Sequence, residues 1–324
     1  MTPDLIAAAR DRLKGHARVT PMLSSPFLDE IAGRRVLVKA ECLQHTGSFK
    51  YRGARAAISA LDPATRARGI CAASSGNHAQ GVALAAREMG VRAVMLMPAD
   101  APRIKLENTR ALGAEVVTYD RATQDRDALM LALEAERGMT LVRPFDDAQV
   151  IAGQGTCGLE IAEQARDAGV ETADVLVCCS GGGLTAGIAV ALAREAPGLR
   201  VRPVEPEGFD DTARSLRSGR RETNPRQSGS LCDAILAPAP GELTLPVMLR
   251  HCGPGLTVTD DEALRAMALA LLRLKIVVEP GGAAALAAAL FCRESIQGEA
   301  VIVTASGGNC DPALLSRAMT LPQD

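Results

Sequence analysis

From residue 35 onward, short apolar runs rich in β-branched residues alternate with longer segments whose apolar positions recur every three to four residues. Runs 35–42 (RVLVKAEC), 69–73, 91–98, 115–119 and 140–142 read as strands, and 77–89, 102–112 and 125–137 carry the helical period. The opening residues, MTPDLIAAARDRLKG, start as an amphipathic helix. A second series follows: strand 173–179, helix 184–194, strand 201–205, helices 260–275 and 281–291, and strand 300–305. Between its halves lies a polar stretch, 208–229, to which no element is assigned. Such alternation predicts parallel sheets covered by helices on both faces. The expected architecture is α/β in two lobes, each a mostly parallel twisted sheet. Residues 48–145 would make the smaller lobe, and 1–47 with 146–324 the larger. Ligands of open α/β sheets gather at the carboxyl ends of strands, so the loops there come next.

Three of those loops carry unusual residues. Thr46-Gly47-Ser48-Phe49-Lys50-Tyr51-Arg52-Gly53 opens a helix and contains one of only five lysines in the chain. Lys50 is either a solvated residue of a helix's first turn or, if partly desolvated, a Schiff-base nucleophile with a lowered pKa. In Ser180-Gly181-Gly182-Gly183-Leu184, successive glycines at a helix N-terminus let backbone amides face an anion, with the helix dipole adding to the attraction. No Lys-Ser/Thr pair follows, so the loop suits a phosphate monoester rather than a nucleotide P-loop; a plain tight turn would look the same. Ser74-Ser75-Gly76-Asn77-His78 offers hydroxyls, an amide and helix N-terminal N–H groups to a carboxylate. Read alone, Ser75 is equally well an N-cap. Residues 153–158 (GQGTCG) match GxGxxG, but a proper preceding strand and an acidic residue about 20 positions on are both lacking, which argues against a dinucleotide site.

Taken in order, these loops resemble those of the fold-type II pyridoxal-phosphate (PLP) enzymes, the tryptophan-synthase-β-like group. GSFKYRG is similar to its cofactor-lysine motif, SSGNHAQG to its carboxylate- and ring-binding motif, and SGGGL to its phosphate cup. IAGQGT resembles the segment behind the substrate. EPGGAA, with Glu279, and SGGN, from Ser306, resemble the segments flanking the pyridine ring. The likeness covers nearly the whole chain and is greatest to serine/threonine dehydratases, serine racemases and hydroxyaspartate dehydratases. It implies PLP held covalently by Lys50, with Phe49 beside it and the same lysine moving protons at the substrate Cα. It also implies Asn77 on the phenolic oxygen, amides of Gly181, Gly182, Gly183 and Leu184 on the phosphate, and Ser306 at the pyridine nitrogen, with Glu279 lining the ring.

Ser74, Ser75, Asn77 and His78 would bind the substrate. Ser75 stands where serine racemases carry an acid/base on the face opposite the lysine, although carboxylate binding explains it equally. The stretch 204–211 (VEPEGFDD) resembles the divalent-cation site of serine racemases, with Glu205, Asp211 and the Phe209 carbonyl as oxygen ligands for Mg²⁺ or Ca²⁺. An acid-rich helix start would look the same.

The implied activity is elimination of water from a small β-hydroxy amino acid: serine, threonine or 3-hydroxyaspartate. A racemase on the same scaffold is the first alternative. A β-replacing synthase is the second, although its substrate loop typically reads TSGNTG where this chain has SSGNH. A decayed scaffold serving as a regulator fits poorly with an intact Lys50, Asn77 and Ser306. With no further sequence after Asp324, an isoleucine-controlled regulatory domain is not expected, which favours a catabolic role.

Composition removes other classes. A net charge of −2 with interspersed signs, and an aromatic set of two Tyr, five Phe and no Trp, leave neither a basic footprint nor stacking platforms for nucleic acid. The longest uncharged apolar stretch, 281–292, is too short for a bilayer. Nine cysteines, odd in number and without CxxC or Cys/His pairing, read as reduced thiols in a cytoplasmic protein. Relatives in the family are commonly dimers, so a homodimer is expected.

Overall fold

The β-branched runs pair into two separate sheets. The computed structural model describes every residue except Ser75, Pro102, Arg121, Gln227, Gln323 and Asp324, and every side chain of those described except that of Ile104. The strands are β1 (Met22–Leu23), β2 (Arg35–Lys39), β3 (Ile70–Ala73), β4 (Ala93–Pro98), β5 (Glu115–Tyr119), β6 (Thr140–Leu141), β7 (Ala173–Cys178), β8 (Leu199–Pro206), β9 (Leu256–Val258) and β10 (Ala300–Thr304). The larger sheet runs β1-β2-β10-β7-β8-β9 and is parallel except for β1; the smaller runs β5-β4-β3-β6 and is parallel throughout. Central strands β4, β7 and β10 are buried along their whole length, as parallel strands covered on both faces must be.

The helices are α1 (Pro3–Leu13), α2 (Pro26–Ala32), α3 (Lys50–Ala60), α4 (Pro63–Ala67), α5 (Asn77–Glu88), α6 (Arg103–Ala111), α7 (Arg126–Arg137), α8 (Ala148–Asp167), α9 (Gly183–Glu195), α10 (Asp211–Ser218), α11 (Thr244–His251), α12 (Asp260–Leu269), α13 (Pro280–Phe291) and α14 (Pro312–Met319). Helix α13 is apolar all round and buried along nearly its full length, which makes it the centre of the larger core.

Several elements depart from the pattern-based expectation. The strand expected over 35–42 stops at Lys39, because residues 41–43 turn into a 3₁₀ helix that buries the Glu41 side chain. The unassigned stretch 208–229 contains α10, whose buried face consists of Asp211, Thr212, Ala213 and Ser215, too polar to register as a helical stripe. Expected helix 260–275 is α-helical only to Leu269; a π turn follows and ends at Lys275 in the left-handed conformation, φ 62°.

The GxGxxG run lies inside α8, so no dinucleotide turn exists there. Its glycines permit close helix contact instead. A Cβ on Gly153 would stand 2.6 Å from the Arg52 carbonyl oxygen of α3, and one on Gly158 would stand 2.9 Å from Ile188 Cα of α9. Across the same interface, a Cβ on Gly187 would lie 2.5 Å from the Ile151 carbonyl oxygen. Gly187→Ala is therefore expected to destabilise the fold by about 1–3 kcal/mol through overpacking. Thermal unfolding should show this as a Tm lower by about 1.5–4.5 °C, and an unchanged Tm would contradict the contact.

Candidate active site

Lys50 begins α3, and the loop before it is stitched to the loop after β10. Ser48 forms an isolated antiparallel bridge with Gly307, the Phe49 amide donates to the Ser306 carbonyl at 3.2 Å, and the Gly308 amide donates to the Gly47 carbonyl at 2.8 Å. Lys50 Nζ lies 5.0 Å from the Phe49 ring centroid and donates to the Pro144 carbonyl at 2.8 Å. Burial lowers its pKa to about 8, so a minority large enough to react is neutral and nucleophilic near physiological pH.

Across from Lys50, the side-chain amide of Asn77 is fixed from two directions. Its Nδ2 donates to Glu279 Oε1 at 2.5 Å, and its Oδ1 accepts from Asn309 Nδ2 at 2.7 Å. Glu279 is the N-cap residue of α13 and is buried; that burial raises its pKa to about 7, against the Asn77 hydrogen bond and the nearby Lys105 charge. Ser306, also buried, follows β10 and donates its amide to the Gly282 carbonyl at 3.2 Å.

The glycine loop supplies the third wall. Gly182 takes the left-handed conformation, φ 88°, and the α9 N-terminus receives no side-chain cap from the described residues. A Cβ on Gly181 would stand 2.4 Å from the Phe145 ring, and one on Gly182 would stand 2.6 Å from Met248 Cε. Leu184 anchors the turn in the core, and the buried Thr185 hydroxyl in the first turn has no hydrogen-bond partner among the described residues. An uncapped helix start, a glycine cradle and an orphaned hydroxyl fit a phosphate group.

In the 74–78 loop, Ser75 lies outside the described residues. Ser74 Oγ accepts the Gly76 amide at 3.2 Å, and α5 likewise begins without a side-chain cap from the described residues. His78 faces inward: its Nε2 sits 2.9 Å from the Val142 carbonyl, and burial, with Lys50 adding, lowers its pKa to about 3, so it is a neutral donor. It bolts α5 to the end of β6, a position less open to a substrate than the sequence suggested.

Sequence reasoning missed what lies beneath. Arg52, two residues after Lys50, is fully buried and grips Glu41 with Nε and Nη2, both at 2.8 Å, and Glu160 with Nη1 at 2.6 Å. Lys39 Nζ reaches the same Glu160 at 2.6 Å, and the Thr20 hydroxyl donates to Glu41 at 2.5 Å. The only available signal was isolated charged residues in segments otherwise built for a core.

Glu205 and Asp211 approach each other at the start of α10. Glu205 accepts the Thr212 and Ala213 amides at 3.0 and 2.8 Å; Asp211 accepts Asn224 through one oxygen, while its buried Oδ2 has no partner among the described residues. Burial raises both pKa values, that of Asp211 to about 6, with Asp211 adding to the effect on Glu205. Phe209, on the turn between them, is buried. Two buried like charges with an idle oxygen suit a cation. No cluster of three or more metal-ligating side chains occurs among the described residues, so backbone carbonyls and water would have to complete the shell.

A partly neutral lysine bonded to the Pro144 carbonyl, next to a Phe145 that packs on the glycine loop after β7, suits an α/β enzyme that can hold an aldehyde-bearing phosphate covalently. Residues 13–307 match the family described as pyridoxal-phosphate dependent enzyme, and the chain belongs to that family. It is 40% identical over 308 residues to an L-threo-3-hydroxyaspartate ammonia-lyase of Pseudomonas, covering 95% of each chain. It is 36% identical to a serine racemase of Schizosaccharomyces pombe, covering 96% of this chain and 94% of that one. A crystal structure of the T.th. threonine deaminase superposes with a TM-score of 0.90 at 42% identity, covering 96% of this chain and 99% of that one.

The lowered Lys50 pKa has a direct consequence. Capture of pyridoxal phosphate by the apoprotein should quicken as pH rises through about 8 and level off above it, rather than climb toward 10.5. Stopped-flow absorbance across pH 6.5–10 measures this. A rate still rising steeply beyond pH 9.5 would show an ordinary, solvated lysine.

Proposed function

We propose that the protein is a PLP-dependent ammonia-lyase that eliminates water from a small β-hydroxy amino acid, serine, threonine or 3-hydroxyaspartate. The observation that carries this reading is the partly desolvated Lys50 amine, set between a phosphate cradle and an uncapped helix start. When bound, the cofactor supplies an electron sink for charge developing at the substrate Cα. Amides of Gly181, Gly182, Gly183 and Leu184 hold its phosphate, and Phe49 packs beside the lysine. Asn77, its amide fixed by Glu279 and Asn309, donates toward the phenolic oxygen. Ser306 would meet the ring nitrogen with a hydroxyl, which would not hold that nitrogen protonated as a carboxylate does, and this would favour prompt loss of a β-substituent.

Ser74, Asn77 and the N-terminus of α5 grip the substrate carboxylate, and His78 braces that helix. Once the substrate amine has taken its place, Lys50 is a free base that removes the Cα proton. Loss of the β-hydroxyl as water leaves an enamine, which tautomerises to an imine; water hydrolyses the imine to a 2-oxo acid and ammonia.

The division into a lobe of residues 48–145 and a larger lobe of 1–47 with 146–324 belongs to the same proposal, supported by the two separate sheets. So does a cytoplasmic homodimer. Nine free cysteines, whose thiol pKa values burial raises, support a reducing compartment. A racemase is the second reading, supported by the likeness to serine racemases, with Ser75 as the acid/base on the face opposite Lys50.

Purified holoenzyme given each hydroxy amino acid, without added nucleophile, should release ammonia and 2-oxo acid in equal amounts, and Lys50→Ala should lose the reaction entirely. Chiral analysis that finds the enantiomer accumulating without ammonia would replace the lyase with the racemase. For the cation, millimolar Mg²⁺ or Ca²⁺ should raise the Tm of the wild type but not of Asp211→Asn. Equal shifts in both would remove Glu205, Asp211 and Phe209 as ligands.

A further inference from the structure

Cys178, the last residue of β7, is a buried thiol that the proposed chemistry leaves unused, and it shares a hydrogen-bond acceptor with Ser306. Its Sγ donates to the Gly282 carbonyl at 3.3 Å and the Thr304 carbonyl at 3.4 Å, and accepts the Ala285 amide at 3.4 Å. Its own amide donates to the Thr304 hydroxyl at 3.2 Å. The Ser306 amide donates to the same Gly282 carbonyl, also at 3.2 Å. One residue therefore joins the end of β7 to the exit of β10 and to the first two turns of α13. The junction is close-packed: a Cβ on Gly282 would stand 2.4 Å from the Gly307 carbonyl oxygen.

These contacts bear on the Ser306 hydroxyl in two ways. The first is position. Ser306 is held from β10 and α13 together, and α13 begins with Glu279, which fixes Asn77. The second is competition for a proton. The Ser306 amide and hydroxyl are close enough to the sulfur to favour its ionised form, although burial dominates and raises the thiol pKa. A hydroxyl has a single proton to give. A neighbour that accepts strongly would take it, and the hydroxyl would then turn a lone pair toward the ring. Sulfur is a weak acceptor, and here it already receives the Ala285 amide. Its own proton is directed at two carbonyls.

We propose that Cys178 is a positioning residue for the cofactor ring: it holds Ser306 in place and, as a weak acceptor, leaves the Ser306 proton free for the ring nitrogen. This rests on the reading that sets Ser306 against that nitrogen. Serine, nearly the same in shape, would put a strong acceptor at position 178 and draw the Ser306 proton away. Alanine would delete every bond of the thiol yet offer that proton no rival.

Wild type, Cys178→Ser, Cys178→Ala and Ser306→Ala, each reconstituted with pyridoxal phosphate isotopically labelled at the ring nitrogen and kept free of substrate, test the assignment. Nitrogen NMR reads whether the labelled atom accepts a hydrogen bond. Ser306→Ala should displace the resonance, marking loss of the donor. Cys178→Ser should displace it in the same direction by most of that amount, and Cys178→Ala by only a small part. Thermal unfolding should rank the two the other way, with Cys178→Ala the less stable, because alanine leaves a cavity and removes the bonds. A role confined to packing would make alanine the worse variant in both measurements, and that result would overturn the proposal. So would an unmoved resonance in Cys178→Ser where Ser306→Ala shifts it; either result leaves the placement of Ser306 standing. If Ser306→Ala itself moves nothing, the hydroxyl does not meet the ring nitrogen, and both readings fall.

Discussion

Four charges, three of them buried and Glu160 partly so, underlie the placement of the reactive lysine. Arg52 and Lys39 meet Glu41 and Glu160 in a cluster with no net charge. Burial pushes the Glu41 carboxyl upward, but the Arg52 charge and hydrogen bonds outweigh it and hold the group below its ordinary range. Such a cluster contributes little net stability, yet its geometry admits few alternatives. It ties together the end of β2, the start of α3 and the middle of α8. Because Lys50 lies two residues ahead of Arg52, its backbone position follows from how the guanidinium docks. Glycines at 153 and 158 complete this floor by letting α8 approach both α3 and α9 closely. The base of the site is rigid because its electrostatic and steric demands meet in the same helices.

Helix starts differ in how their free amides are met. Helix α12 starts with a full capping box between Thr259 and Glu262, and α7 and α8 are capped by Asp125 and Asp147. Helices α5 and α9 begin at Gly76 and Gly182 and have no side-chain cap from the described residues. A cap at either would satisfy the very amides that an anion needs. The stability given up there would be the counterpart of the proposed binding of a carboxylate at one end and a phosphate at the other.

Much of this was legible in the sequence, for definable reasons. Parallel strands buried on both faces produce continuous apolar runs, so β3, β4, β5, β7, β8 and β10 were found to within about two residues at each end. Lys50, Asn77, the glycine loop and Ser306 stood out because glycine and small polar residues cluster where backbone must approach a ligand. The remainder was hidden by distance along the chain. Nothing local ties Arg52 to Glu160, or Asn77 to Glu279 and Asn309; only the fold joins them. Gly153 and Gly158 imitate a nucleotide motif, since glycines that let helices touch and glycines that let phosphates approach look alike in one dimension. Helix α10 escaped because its buried face is made of Thr, Ser, Asp and Ala, residues whose burial depends on hydrogen bonds rather than on hydrophobicity.

The strand order of the larger sheet constrains how the molecule comes into being. Strand β10 is inserted between β2 and β7, although it follows every other described strand along the sequence. A polypeptide emerging from a ribosome can assemble the smaller sheet, whose four strands lie within residues 70–141, well before β10 has been synthesised. The larger sheet stays split until then, leaving flanks of β2 and β7 unpaired. Ser306 and Asn309 follow directly behind that strand, so these two residues take their places only after β10 has been made. The smaller sheet can therefore form before the walls contributed by the larger sheet are complete.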